Sequence, residues 1–162
     1  MDICAKQGYG DSLCGIYSLL NAICHFENVA RDDVAQQREL FAILMMASER
    51  LGYLDYHHVV VGFEAFELVE VFNWVAQRFG YNLEAVDLRR FSSGFRGGLP
   101  AAINDALGEN YVAVTHDAQT DHWVAITKDR VPLDSWPIEG LVSKGRAKRS
   151  SYGLIIKQIS QD

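Results

Sequence analysis

The chain has 162 residues, 49% of them hydrophobic and 22% charged, with 21 acidic against 15 basic side chains and a net charge of −6. That length and composition suit a single domain over residues 1–162 with its own core, and they exclude a disordered tail. The acidic balance argues against a nucleic-acid binder, which needs surplus Lys and Arg to neutralise phosphates. The longest unbroken apolar run, Leu40 to Ala47, is only eight residues, whereas a membrane helix needs roughly 20. Asp2, Lys6 and Gln7 leave no apolar signal-peptide core at the N-terminus. Three cysteines, Cys4, Cys14 and Cys24, are too few and too odd in number for a disulfide framework. A cytoplasmic protein is expected, or one exported by a system without a cleaved signal.

From Ile16 the apolar positions Leu19, Leu20, Ile23 and Cys24 follow helical spacing, with Asp11 and Ser12 as capping candidates ahead of them. A second helix should start near Asp32 and Asp33, with a stripe of Val34, Phe41, Leu44, Met45 and Leu51 and a stop at Gly52. A third should run from Phe63 to Phe79, with Leu68, Val71, Phe72, Val75 and Phe79 on one face and Gly80 closing it. Phe91 to Gly98 reads as an exposed loop, and Pro100 opens a short helix through Ile103, Ala106 and Leu107 to Gly108. Strands are then expected at Tyr111 to Thr115, His122 to Thr127, Arg130 to Leu133 and Tyr152 to Ile159. Asp117 to Asp121, and then Lys128 with Asp129, should join antiparallel neighbours. Helices first and strands later predict an α+β fold: a helical N-terminal half packed on a C-terminal antiparallel sheet. The basic segment Lys144 to Arg149 reads as a solvated loop.

Cys14 is the candidate nucleophile. It falls at the start of the first helix, behind a polar loop containing Gly8, Gly10, Asp11 and Ser12. The positive end of a helix dipole favours thiolate over thiol, and Gly15 should leave room for a substrate. Cys24 lies on the apolar stripe and reads as a small buried hydrophobe. A thiol nucleophile needs a base, and the base needs a group to orient it. Of five histidines, His25 suits a helix-end cap, His57 and His58 adjoin in an expected loop, and His116 ends a strand. His122 opens the strand His122-Trp123-Val124-Ala125-Ile126, and Asp134 follows twelve residues later on the next strand. Adjacent antiparallel strands would set His122 beside Asp134, the carboxylate steadying one ring nitrogen while the other serves the thiol. Gln7 could add a side-chain amide N–H to an oxyanion hole.

This set resembles the papain-like cysteine peptidase superfamily. The order Cys, His, acid is the family's, as are a helix-borne Cys and a strand-borne His. Gln7 before Cys14-Gly15 looks like the family's loop glutamine, and Asp134-Ser135-Trp136 looks like its Asn-Ser-Trp motif. The string Cys14-Gly15-Ile16-Tyr17-Ser18-Leu19-Leu20 is closest in style to compact bacterial members, namely the bacteriocin-processing, C39-like peptidases and papain-fold effectors. Gln7 is one position further from the cysteine than in papain, and Asp134 stands where papain has Asn.

The resemblance implies a papain-like fold and hydrolysis of a peptide or isopeptide bond in a protein or peptide substrate, through a thioester and without a cofactor. Glutamine deamidation and amine or acyl transfer use the same triad and stay open, as does a binding module that kept the fold. Metal ligation is not expected: CxxC and HExxH are absent, and cysteines ten residues apart do not suit one tight site.

Overall fold

The computed structural model describes residues 12–30, 32–88, 110–117, 122–129, 131–133 and 153–159. Helices α1 (Cys14–Phe26), α2 (Val34–Arg50), α3 (Tyr56–Val60) and α4 (Ala65–Phe79) precede strands β1 (Leu83–Asp87), β2 (Tyr111–Asp117), β3 (His122–Thr127), β4 (Pro132–Leu133) and β5 (Gly153–Gln158). The strands form one sheet in the order β1-β5-β2-β3-β4, antiparallel at every step. The fold is α+β. Lys128 and Asp129 form the expected turn between β3 and β4. Among the described residues, no helix is long and apolar enough to cross a membrane.

Strand alternation divides the sheet into two faces. Leu83, Ala85, Leu154, Ile156, Val112, Val114, Trp123, Ala125 and Leu133 join the main core with the helices. Ile155, with Leu88, Tyr111 and Ala113, forms a smaller cluster on the other face. Helix α1 lies against β3, α4 lies against β1, and α2 packs outside both helices. Ile16, Leu19, Leu20 and Ile23 of α1 are all buried, each contributing about 1.5–3 kcal/mol on removal from water.

Side-chain amides tie helices to the outermost strands. Asn73 of α4 donates to the Ala85 carbonyl at 2.9 Å and accepts the Ala85 N–H at 2.8 Å, covering the open edge of β1. Asn21 of α1 donates to the Leu133 carbonyl of β4 at 3.1 Å. Asn21 is buried, so Asn21→Ala removes that amide and leaves a hole beside a buried carbonyl. It should cost about 1–3 kcal/mol, measured as a lowered urea midpoint with an unchanged slope.

Several expectations need correction. Leu13, not Asp11 or Ser12, holds the cap position of α1. The Ser12 hydroxyl turns away to the Val60 carbonyl, 2.7 Å distant. Helix α2 does begin at Asp33, which caps the Gln36 N–H at 3.0 Å. Its inward stripe, however, runs Gln37, Leu40, Leu44, Ala47, Ser48, with Val34 exposed and Phe41, Met45 and Leu51 only flanking it. Polar residues can join that stripe because their bonds are met locally: Gln37 reaches the Ala30 carbonyl and Ser48 the Leu44 carbonyl. Phe79, at the last turn of α4, is exposed, and Gly80 closes the helix in the left-handed region at φ 76°. His57 and His58 sit on α3 instead of a loop.

Candidate active site

Helix α1 brings three polar groups to the sheet from one face, at positions 14, 18 and 21, a spacing of four and then three. Cys14 is its first residue and is 6% exposed, and its Sγ accepts the Trp123 N–H at 3.5 Å. Ser18, one turn on, donates to the Trp123 carbonyl at 3.0 Å. Asn21 then reaches Leu133. The Thr127 N–H bonds the Val131 carbonyl across the β3–β4 turn, and the two-residue repeat aims the Trp123 N–H and C=O toward the same edge. Helix α1 thus bonds β3 along the edge where β4 pairs Ala125 and Ile126 further on.

The N–H that meets the sulfur belongs to the peptide linking His122 to Trp123. Two residues singled out 108 positions apart in sequence therefore converge on one peptide unit. His122 opens β3, is buried, and pairs with Asp117 of β2. Alternation turns the Trp123 indole toward the helices, while His122 leaves the strand on the other side of that peptide. The indole N–H donates to the Phe63 carbonyl at 3.2 Å, which fixes the ring beside the site. Comparison with family models, curated proteins and solved structures found no match.

Gln7 and Asp134 lie outside the described residues, as do Cys4, Asp11, the Phe91–Gly98 loop, the Pro100 helix, Trp136 and the Lys144–Arg149 segment. Asp134 directly follows Leu133, the residue that Asn21 holds. Gly15 has a different role from the one expected. A Cβ there would meet both Leu68 methyls at 3.0 Å and the Trp123 ring at 3.4 Å, so glycine serves close packing of α1 on α4 and β3 and not substrate access. Cys24 is fully buried, as a core cysteine should be. His25 sits eleven residues along α1 from Cys14, about 16 Å at the helical rise. Burial pushes its pKa down while the charge of Asp129 pulls it up.

Two features of the site were not anticipated. One is the stripe of Ser18 and Asn21, whose signal was small polar residues at helical spacing from Cys14 on an apolar helix. The other is His116, opposite Trp123 in the β2–β3 register, with ring centroids 5.1 Å apart. It stands on the same face of the sheet as the indole and is half-buried.

Proposed function

We propose that the chain is a papain-like thiol hydrolase in which Cys14 is the nucleophile, His122 the base, Asp134 the group that orients it and Gln7 an oxyanion-hole donor. The observation that carries this reading is the Cys14 sulfur seated against the His122–Trp123 peptide. A helix-borne thiol at the mouth of a histidine-bearing strand is the arrangement that acyl transfer requires, and a donor directed at sulfur is the partner an anionic sulfur would use. His122 takes the thiol proton as sulfur attacks the substrate carbonyl carbon. The C–N bond then breaks as His122 passes that proton to the leaving nitrogen. Water, deprotonated by His122, attacks the thioester carbonyl; the C–S bond breaks and the thiol is restored.

What leaves, and what attacks, decides the class. Cleavage of a peptide or isopeptide bond is favoured, as the broader habit of the family that the chain resembles. Side-chain deamidation of glutamine and transfer to an amine run through the same thioester. His116 gives a second reading of the base, since it flanks the Trp123 that meets the sulfur.

The test compares wild-type and Cys14→Ala protein, each incubated with a cell-lysate proteome and followed by intact and peptide mass spectrometry. New chain termini carrying one added water are expected with the wild type only. Deamidation would instead leave chains intact and raise a glutamine by about one mass unit, and amine transfer would join an amine and release ammonia. Absence of any Cys14-dependent change, across proteomes that include a plausible host's, would return the chain to the binding-module reading. Activity surviving in His122→Ala but lost in His116→Ala would move the base to His116.

A further inference from the structure

The segment from Asp55 to Phe63 holds the Cys14 site from both sides, and its apolar anchorage is confined to its end, where Phe63 is buried in the core. Tyr56, Val59, Val60 and Val61 are 83%, 37%, 51% and 59% exposed, so packing secures the stretch ahead of Phe63 only weakly. Its carbonyls are nonetheless used. Val59 and Val60 accept the Ser12 N–H and hydroxyl at 3.0 and 2.7 Å, two residues ahead of Cys14. Phe63 accepts the indole N–H of Trp123, whose backbone N–H meets the Cys14 sulfur.

A polar latch fastens this segment to α4. The ring of His58 is buried, with Nδ1 2.7 Å from Asp55 Oδ1 and Nε2 3.1 Å from Glu67 Oε1. Glu67 in turn accepts the Glu64 N–H through Oε2 at 2.7 Å, and Asp55 accepts the His58 N–H at 3.0 Å. Ionised carboxylates only accept, so with Asp55 and Glu67 both ionised, bonds at both ring nitrogens call for hydrogen on both, the form an imidazolium supplies. A neutral ring would aim a lone pair at one carboxylate.

Resting on the reading of Cys14 as nucleophile, we propose that protonated His58, clamped between Asp55 and Glu67, is a positioning residue that holds Ser12 and Trp123 in place around the sulfur. Loss of its proton releases one end of the clamp and loosens the junction. The groups facing the ring are the carboxylates of Asp55, which caps α3, and of Glu67 on α4, the adjacent His57, and the rings of Phe63 and of Tyr53, whose hydroxyl donates to Glu70 at 2.6 Å. Burial alone would push the His58 pKa down, but the hydrogen bonds and charges of Glu67 and Asp55 outweigh it and hold the value above the ordinary one. The sign follows. The latch is intact below the unfolded-state value of roughly 6.5 and is lost as pH rises through the raised folded-state value.

The test uses the full chain and three readouts across pH 5–9 (a span of about four units around the His range): imidazole NMR of His58, amide exchange of Ser12 and Trp123 corrected for intrinsic rates, and iodoacetamide alkylation of Cys14. His58 should titrate above its ordinary value, with both amides losing protection over the same interval and the alkylation profile breaking there. Glu67→Gln keeps the shape but removes a charge, so all three transitions should move to lower pH. His58→Gln should abolish the pH-dependent step and speed Trp123 exchange roughly tenfold or more at low pH. His58 titrating at or below its ordinary value, or exchange at Ser12 and Trp123 indifferent to it, overturns the latch. Because the NMR and exchange readouts need no reaction at sulfur, the latch can fail while Cys14-dependent chemistry stands. Conversely, a latch intact in Cys14→Ala with no Cys14-dependent mass change in lysate would sink only the hydrolase reading.

Discussion

Cys14→Ser should reduce turnover by about 10⁴–10⁶-fold while leaving the circular-dichroism spectrum and melting temperature nearly unchanged. Serine keeps an acceptor for the Trp123 N–H but offers a far less acidic nucleophile, so chemistry is lost and packing is kept. His122→Ala should fall to a similar residual rate, and the double variant should be no worse than either single one, because nucleophile and base act as one unit. Asp134→Asn should be milder, since an amide oxygen can still accept the ring N–H, and Gln7→Ala should cost roughly 10²–10³-fold. These rates are to be measured on whichever substrate the lysate experiment identifies. A His122→Ala protein that simply unfolds would return that buried ring to a structural role, and a Gln7→Ala protein with the wild-type rate would remove that residue from the site.

The largest stability effect is expected far from the sulfur. Gly153 opens β5, where it pairs with Thr115, and its carbonyl accepts the Leu88 N–H at 2.9 Å. A Cβ built at this position would run into the Val114 carbonyl oxygen and crowd the Thr115 Cα at 3.1 Å. Both obstacles are backbone atoms, so no side-chain rotation relieves them. Gly153→Ala must pry β5 from β2, and β5 carries Leu154, Ile155 and Ile156, all completely buried. A loss of about 3 kcal/mol or more is expected, lowering the melting temperature by roughly 6–12 °C for a chain of this size. A thermal melt within a degree of wild type would show that the two strands can separate there at little cost.

What could be read from the chain followed its periodicity. Helices α1, α2 and α4 and strands β2, β3 and β5 were legible because each repeats its apolar positions over enough residues. Helix α3 has five residues, too few for a period to register, although Asp55 was a readable cap for it. Strand β1, Leu-Glu-Ala-Val-Asp, carries two acidic residues in five and was missed. It is defined by a distant partner strand, Leu83 lying opposite Gln158, and by Asn73, neither of which leaves a local trace. The α2 stripe was misplaced for a related reason: a search for apolar residues passes over Gln37 and Ser48, which go inside only because nearby carbonyls satisfy them. Cys14 and His122 were legible as residues that open their elements, and the structure brings the sulfur to the peptide that follows His122. The latch at His58 was not, because Glu67 comes to the ring from another helix, an approach no spacing rule encodes.

The sheet order bears on when the thiol site can come into being during synthesis. The bonds that join Ser18, Cys14 and Asn21 to the sheet span 105, 109 and 112 residues, so the chain must be made as far as Leu133 before all three can form. The delay runs further, because β5 inserts between β1 and β2. Until it emerges, the described strands stay divided, with β1 on one side and β2, β3 and β4 on the other. Connections of this length slow folding, because loop-closure entropy must be met before distant contacts can form. On the proposed reading of Cys14 as the nucleophile, its sulfur gains the Trp123 N–H only once β3 has been made, more than a hundred residues after the cysteine itself.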